Sequence, residues 1–324
     1  MPMSSMHDTW LLIAPEAALP ALRPLIETHE KRRPVRLLSS KDNLQDFLED
    51  AAGLLMVGER CHTPRTALPG PFLVSADGRR VPAGWLPFTG QEDLKRFAVA
   101  AAEVQNRSGS GGPIALLGQW NDHVTRMVRK SLQIMSGDNG TPPVPVYWWT
   151  ADRIIRRDLL TALRIGLGMA MYCGHGRPYG WAGYHGLHSR HLVHAAGRPT
   201  GAVLSLTCHT ANRYRVGLSF AEIIPLSGVA AAAFSAVRPT KTVENWYWGT
   251  SLCEVLAERP GCTLGELVLR ACPPDVQWDS YRIIGDPLAP LLGAPDAADA
   301  CSKVWAPAPD DSPVPPGYLA DLQN

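Results

Sequence analysis

Two short stretches of this 324-residue chain end an apolar run on a side chain that can do chemistry. The first is Tyr172-Cys173-Gly174-His175-Gly176, an imidazole with glycine on each side. Glycine permits a tight turn and close approach of another backbone, and it leaves an amide N–H able to point at an oxyanion. The second is Leu204-Ser205-Leu206-Thr207-Cys208-His209, which delivers a thiol in the same manner. A thiol attacks only as its thiolate, so it needs a base or a positive charge beside it. His175 would take that proton and later return it to a leaving amine. The chemistry implied is acyl transfer through a thioester, on a His175–Cys208 dyad. The competing reading of Cys208 is a buried structural thiol, the usual fate of cysteine in an apolar run.

The elements around these residues must bring them together. His175 and Cys208 are 33 residues apart (208 − 175), enough for a return to the neighbouring strand of one parallel sheet. The ends of such strands lie roughly 5 Å apart, and the crevice beyond strand ends is where open α/β sheets bind ligands. The rest of the chain fits such a sheet. Strand-like runs at Trp10–Ala14, Val35–Leu38 and Gly53–Val57 alternate with helical patterns over 18–30 and 41–52. That rhythm predicts parallel strands covered by helices. A Pro/Gly-rich stretch from Thr63 to Pro87 interrupts it, with Phe72–Val74 as its best strand. An amphipathic helix follows over 91–106, and Ser108–Gly112 reads as a connector. The alternation resumes with strands at Pro113–Leu117, Val144–Trp149, Gly168–Cys173, Ala202–Thr207, Gly228–Ser235 and Tyr281–Ile284, and helices over 122–135, 152–165, 245–258 and 263–272. The chain therefore divides into an N-terminal half (1–110), a second half carrying the dyad (111–292) and a Pro-rich tail (293–324), with Trp305 or Tyr318 as the residues able to pin it.

Composition narrows the function classes. Lys plus Arg number 31 against 30 Asp plus Glu, so bulk charge gives no reason to expect nucleic acid or an anionic membrane as partner. No run reaches the roughly 18 apolar residues of a membrane helix, and the N-terminus lacks a signal-peptide pattern. Seven cysteines, an odd number with several in apolar runs, fit a reducing compartment better than a disulfide framework. The expectation is a cytoplasmic protein.

The ordered motifs resemble the gingipain-like cysteine peptidases, within the caspase-like fold that also includes CHAT-type peptidases. Gly174-His175-Gly176 is followed by Trp181 at the spacing associated with that family. After Cys208 come Ser219-Phe-Ala-Glu-Ile223, Gly228-Val-Ala-Ala-Ala-Ala-Phe-Ser235 and Ile284-Gly-Asp-Pro287, similar to the family's next helix, next strand and closing motif. The resemblance spans about residues 53 to 292. It departs in two places: His209-Thr210-Ala211-Asn212 stands where a small residue and glycine usually follow the cysteine, and Gly84-Trp85-Leu-Pro stands for a Gly-Arg strand.

The resemblance implies a caspase-like α/β fold, a mostly parallel sheet with helices on both faces. It implies an oxyanion hole from the N–H groups of Gly176 and Cys208, and a P1 pocket at the strand ends. Asp122 would pair there with a basic P1 side chain, with Trp246 as a wall and Trp181 near substrate. Asp122 at a helix start equally fits a cap. The expected partners are a protein substrate and a separate activating or targeting protein, and the chemistry requires no cofactor. Glu222 and Asp286 are expected to be structural, and no third catalytic residue stands out. His185, His188, His191 and His194 recur every third residue, and His209, Cys173 and Cys208 could join them, but that step does not assure convergence on one metal, so no metal is expected. Two alternatives remain open: an inactive caspase-like scaffold that binds a partner, against which the intact His175 and Cys208 argue, and a flavodoxin-like signalling or nucleotide-binding domain, where the missing Gly-rich phosphate loop argues against nucleotide binding.

Overall fold

The computed structural model describes residues 7–39, 42–59, 70–109, 111–137, 140–192, 197–272 and 278–304. The first part of the chain runs β1 (Thr9–Ile13), α1 (Leu19–Glu30), β2 (Val35–Leu38), the short α2 (Gln45–Leu48), β3 (Ala51–Glu59), β4 (Phe72–Val74), β5 (Arg80–Phe88) and α3 (Gln91–Gln105). Then follow β6 (Ile114–Gly118), α4 (Asp122–Ser136), β7 (Val146–Thr150), α5 (Arg156–Ala162) and β8 (Met169–Cys173). Three two-residue strands come next: β9 (Gly176–Arg177), β10 (Gly180–Trp181) and, after the turn α6 (Gly183–Gly186), β11 (Leu187–His188). The last part is β12 (Thr200–Leu206), α7 (Phe220–Leu226), β13 (Ala230–Ala236), α8 (Thr242–Glu258), α9 (Leu264–Ala271), β14 (Tyr281–Gly285) and α10 (Ala297–Val304).

One sheet runs β2-β1-β3-β5-β14-β13-β12-β8-β6-β7. Every neighbouring pair along it is parallel except β13–β14. That single reversal divides the sheet into two five-strand parallel blocks pointing opposite ways. The carboxyl ends of β6, β8, β12 and β13 therefore open on one edge, and those of β1, β3 and β5 on the other. Strands β8, β12 and β13 are buried along their whole length, as the near-continuous apolar runs of a central parallel sheet require. Helix α3 packs against both α1 and α7, and α4, α8 and α9 form a second layer.

A small polar network joins distant parts of the chain. The buried Asp286 carboxylate contacts His29 Nε2 of α1 at 3.1 Å and accepts from Gln105 Nε2 of α3 at 2.7 Å and from Leu288 N–H at 3.1 Å. Trp10 of β1 stacks on the His29 ring. This is the structural role expected for Asp286.

Three expectations change. A helix is expected over 41–52, but among the described residues of that span only Gln45–Leu48 form one; the pairing of Ala51 with Thr9 draws the following residues into β3. The Pro/Gly-rich stretch holds a nine-residue strand, β5, despite Pro82 and Pro87, because β3 and β14 pair with it from both sides. Glycine is required at its centre: a Cβ on Gly84 would come within 2.1 Å of the Gly285 carbonyl oxygen. The tail begins with α10, whose Ala297 and Cys301 are buried and whose Ala298 carbonyl accepts from the Tyr147 hydroxyl at 3.0 Å. Trp305 and Tyr318 lie outside the described residues. Among the described residues, no helix is long and apolar enough to cross a membrane.

Candidate active site

Strands β8 and β12 are parallel neighbours with Cys173 opposite Leu206. His175 and Cys208 each stand two residues beyond that pair, so they leave the same sheet edge side by side. Both line one cleft of about 360 Å³. Asn121 and His123 at the start of α4 form one wall, Thr240 and Asn245 at the start of α8 the other, and Val124, Met127 and Leu206 supply apolar surface.

The turn carrying His175 is held at its backbone. Gly174 has φ +150° and no room for a Cβ beside Tyr172 and Gln119. The His175 N–H donates to Gln119 Oε1 at 3.0 Å, and its carbonyl accepts from Ala182 N–H at 3.0 Å and from the Tyr172 hydroxyl at 3.3 Å. The side chain itself is exposed. Among the described residues no carboxylate pairs with the ring. Backbone anchoring thus fixes the approach of the imidazole, while its two nitrogens stay open for proton transfer.

Gly176 sits against the thiol strand. A Cβ there would lie 2.1 Å from Thr207 Oγ1 and 2.7 Å from the Cys208 carbonyl oxygen. In the β9–β10 ladder Gly176 faces Trp181, and Ala182 N–H bonds the His175 carbonyl. That makes Gly176–Trp181 a non-hydrogen-bonded pair, which leaves the Gly176 N–H pointing away from β10. The described backbone hydrogen bonds give the Cys208 N–H no acceptor either.

Cys208 is half-buried, and its Sγ accepts from Thr240 N–H at 3.4 Å. His209, next in the chain, has φ +62°, a left-handed conformation uncommon for a residue with a side chain. Its Nδ1 is buried with no hydrogen-bond partner among the described residues, and burial pushes its pKa below the ordinary histidine value. This is the place where the sequence departs from a small residue and glycine, and His209 carries that conformation with a full side chain.

The remaining expected residues fall outside the cleft. Trp181 is only 1% exposed; it stacks on Tyr172 at 4.3 Å and donates to Ser205 Oγ at 2.9 Å, so it supports the His175 turn from inside instead of meeting substrate. Trp246 is half-buried and packs beside His123, with ring centroids 6.1 Å apart. Asp122 is exposed and lines a separate shallow depression with Thr125, Arg126 and Arg129, while Asn121 caps α4 by accepting from Val124 N–H. Glu222 is buried against Arg213 and closes a capping box with Ser219. His188 and His191 stack 5.5 Å apart, and His194 lies outside the described residues. Among the described residues no three His, Cys, Asp or Glu side chains form a group that could hold a metal. The sequence reading missed Thr240 and Gln119. Gln119 directly follows the buried strand β6, so the strand-end logic that found His175 and Cys208 would have found it, whereas Thr240 lies four residues beyond the end of β13 and offered no such signal.

The sequence profile described as peptidase family C25 matches residues 124–292, slightly more than half of the chain. No curated protein matches in sequence. Among solved structures, the crystal structure of the Arg-specific cysteine proteinase gingipain R (RgpB) superposes with a TM-score of 0.68 at 13% identity, covering 89% of this chain and 79% of that one. A complex of Porphyromonas gingivalis RgpB pro- and mature domains gives a TM-score of 0.65 at 15% identity, covering 87% and 79%. A structure described only as a protease gives 0.67 at 14% identity, covering 88% and 78%. At such identities the likeness is one of fold.

Proposed function

The chain belongs to peptidase family C25 and is a cysteine peptidase, and from that premise we propose that it cleaves a protein substrate with Cys208 as nucleophile and His175 as general base and acid. The observation that carries the assignment is that these two residues leave adjacent parallel strands into one cleft. His175 takes the Cys208 proton, and the thiolate attacks the scissile carbonyl carbon. The oxyanion that forms is received by the N–H groups of Gly176 and Cys208. The imidazolium then protonates the leaving amine as the C–N bond breaks. Water, deprotonated by the same imidazole, hydrolyses the thioester and frees the acid and the thiol.

The P1 preference belongs to the same proposal. Asp122 is one residue from both Asn121 and His123 of the cleft wall, and a long basic side chain reaching past the start of α4 would meet it. The pair would be solvent-exposed, so its contribution is small. Hydrolysis of fluorogenic peptides differing only at P1 tests this. Asp122→Asn is expected to lower kcat/KM about fivefold on Arg and Lys substrates and to leave a Leu substrate unchanged. Equal effects on all three would remove Asp122 from substrate recognition. A separate activating or targeting protein and a reducing compartment complete the proposal; the six described cysteines, all free thiols, support the latter.

A further inference from the structure

The loop leaving β13 passes directly beside the nucleophile. It is stitched to the turn after Cys208 by His209 N–H to the Arg238 carbonyl at 3.3 Å, Ala211 N–H to the Ala236 carbonyl at 2.9 Å and Asn212 Nδ2 to the Val237 carbonyl at 2.6 Å. Its far end is fixed where Lys241 N–H donates to Glu244 Oε2 at 2.9 Å and α8 begins. Thr240 is held between these anchors. Each described polar contact of the Cys208 sulfur goes to this one residue. The Thr240 N–H donates to Sγ at 3.4 Å, Oγ1 lies 3.7 Å away, and the thiol donates to the Thr240 carbonyl at 3.5 Å.

Those contacts do not weigh equally in the two protonation states. In the thiol, S–H has an acceptor in the Thr240 carbonyl. Once the proton has moved to His175, sulfur can only accept, and the N–H and the hydroxyl are the two groups that can donate to it. A hydrogen bond donated to the charged form favours that form. We propose that Thr240 is a positioning residue for the nucleophile: its N–H and hydroxyl hold the Cys208 sulfur on the cleft floor and stabilise the thiolate. The proposal rests on the assignment of Cys208 as nucleophile.

Other groups also face the sulfur's surroundings. His175 and His123 stand across the cleft on the β8 and α4 sides, His209 is the next residue, and Lys241 follows Thr240. From β14 comes the Tyr281 phenol, whose hydroxyl donates to Asn245 Oδ1 and whose burial pushes its pKa up, so that it stays neutral. Tyr281 also shares a side-chain hydrogen bond with Thr240, which is lost with the hydroxyl, but a neutral phenol brings no change of charge beside the sulfur, and the histidines and Lys241 stay in place.

The test measures the alkylation rate of Cys208 by iodoacetamide against pH in the full chain, read by peptide mass, together with peptide hydrolysis. Thr240→Val removes the hydroxyl and keeps the shape. Its alkylation midpoint is expected to rise by about 0.5–1 pH unit, and kcat to fall about three- to tenfold with KM within about twofold. Thr240→Ser restores both values. If Thr240→Val loses near-ultraviolet circular dichroism, Thr240→Ala is read the same way. A wild-type midpoint and kcat in the valine variant would overturn the proposal, as would a serine variant that behaves like valine. Cys208→Ala separates the two levels: hydrolysis persisting in that variant would overturn the nucleophile assignment and this proposal with it. An inert Cys208→Ala beside an unshifted Thr240→Val overturns this proposal alone.

Discussion

Replacing Cys208 with alanine is expected to reduce peptide hydrolysis to background, a loss of about 10⁴-fold or more, and His175→Ala to lose about 10³-fold or more. The size follows from the mechanism. Without the sulfur there is no acyl-enzyme, and only the cleft and the two N–H groups remain to favour hydrolysis. Without the imidazole the thiol must lose its proton to water, and the leaving amine departs unassisted. The two losses should not add in the double variant, because the residues act on one proton and one bond. Folding should survive both changes. His175 is exposed and Cys208 half-buried, and the turns that carry them are held by backbone contacts such as His175 N–H to Gln119 Oε1. Initial rates on a peptide mixture, with thermal unfolding as control, check this. Undiminished hydrolysis by a folded Cys208→Ala protein would sink the assignment.

The second large effect concerns stability. Burial by itself would raise the pKa of Asp286, but His29, Gln105 and the Leu288 N–H together outweigh it and hold the carboxyl below its ordinary value. Asp286→Ala strands His29 Nε2 and leaves the Leu288 N–H without its acceptor in a dry interior. Breaking such a buried pair on one side costs about 3–5 kcal/mol, a large part of the stability of an ordinary domain. The sign with pH follows from the depressed value. The unfolded carboxyl titrates near about 3.9, so the contribution of Asp286 is fully present above that pH. It is lost as pH falls through the lower folded-state value. Urea unfolding at neutral pH and in mild acid checks both statements. Asp286→Asn should be less stable than wild type at pH 7, with the gap narrowing below about pH 4. A gap that stays constant into acid would mean that the charge on Asp286 contributes nothing.

Much of the candidate site was legible because its placement depends on local pattern. Uniformly apolar runs ending in glycine or cysteine identify β8 and β12, and the 33-residue spacing suits adjacent strands. The order of the sheet was not legible. Whether β14 runs with or against β13 depends on which edge it reaches after α9, and nothing in Tyr281–Gly285 encodes direction. Strand β5 was hidden by Pro82 and Pro87, whose local preference gave way to pairing on both sides. The misplacement of Trp181 has a similar cause. A tryptophan at that spacing reads equally as a substrate contact or as a prop, and only the Tyr172 ring beneath it decides for the prop. Thr240 was overlooked because a threonine in a Pro-containing loop carries no signal without the sulfur beside it.

The most direct test of the central claim is the intact mass of wild type, His175→Ala and Cys208→Ala after exposure to acyloxymethyl-ketone probes bearing Arg, Lys, Asp or Leu at P1. Such probes need a thiolate placed beside a recognised peptide. The account predicts one adduct on wild type, mapped to Cys208, greatly slowed in His175→Ala and absent from Cys208→Ala. An adduct that persists in Cys208→Ala, or a folded and reduced wild type that reacts with none of the four probes, would contradict it.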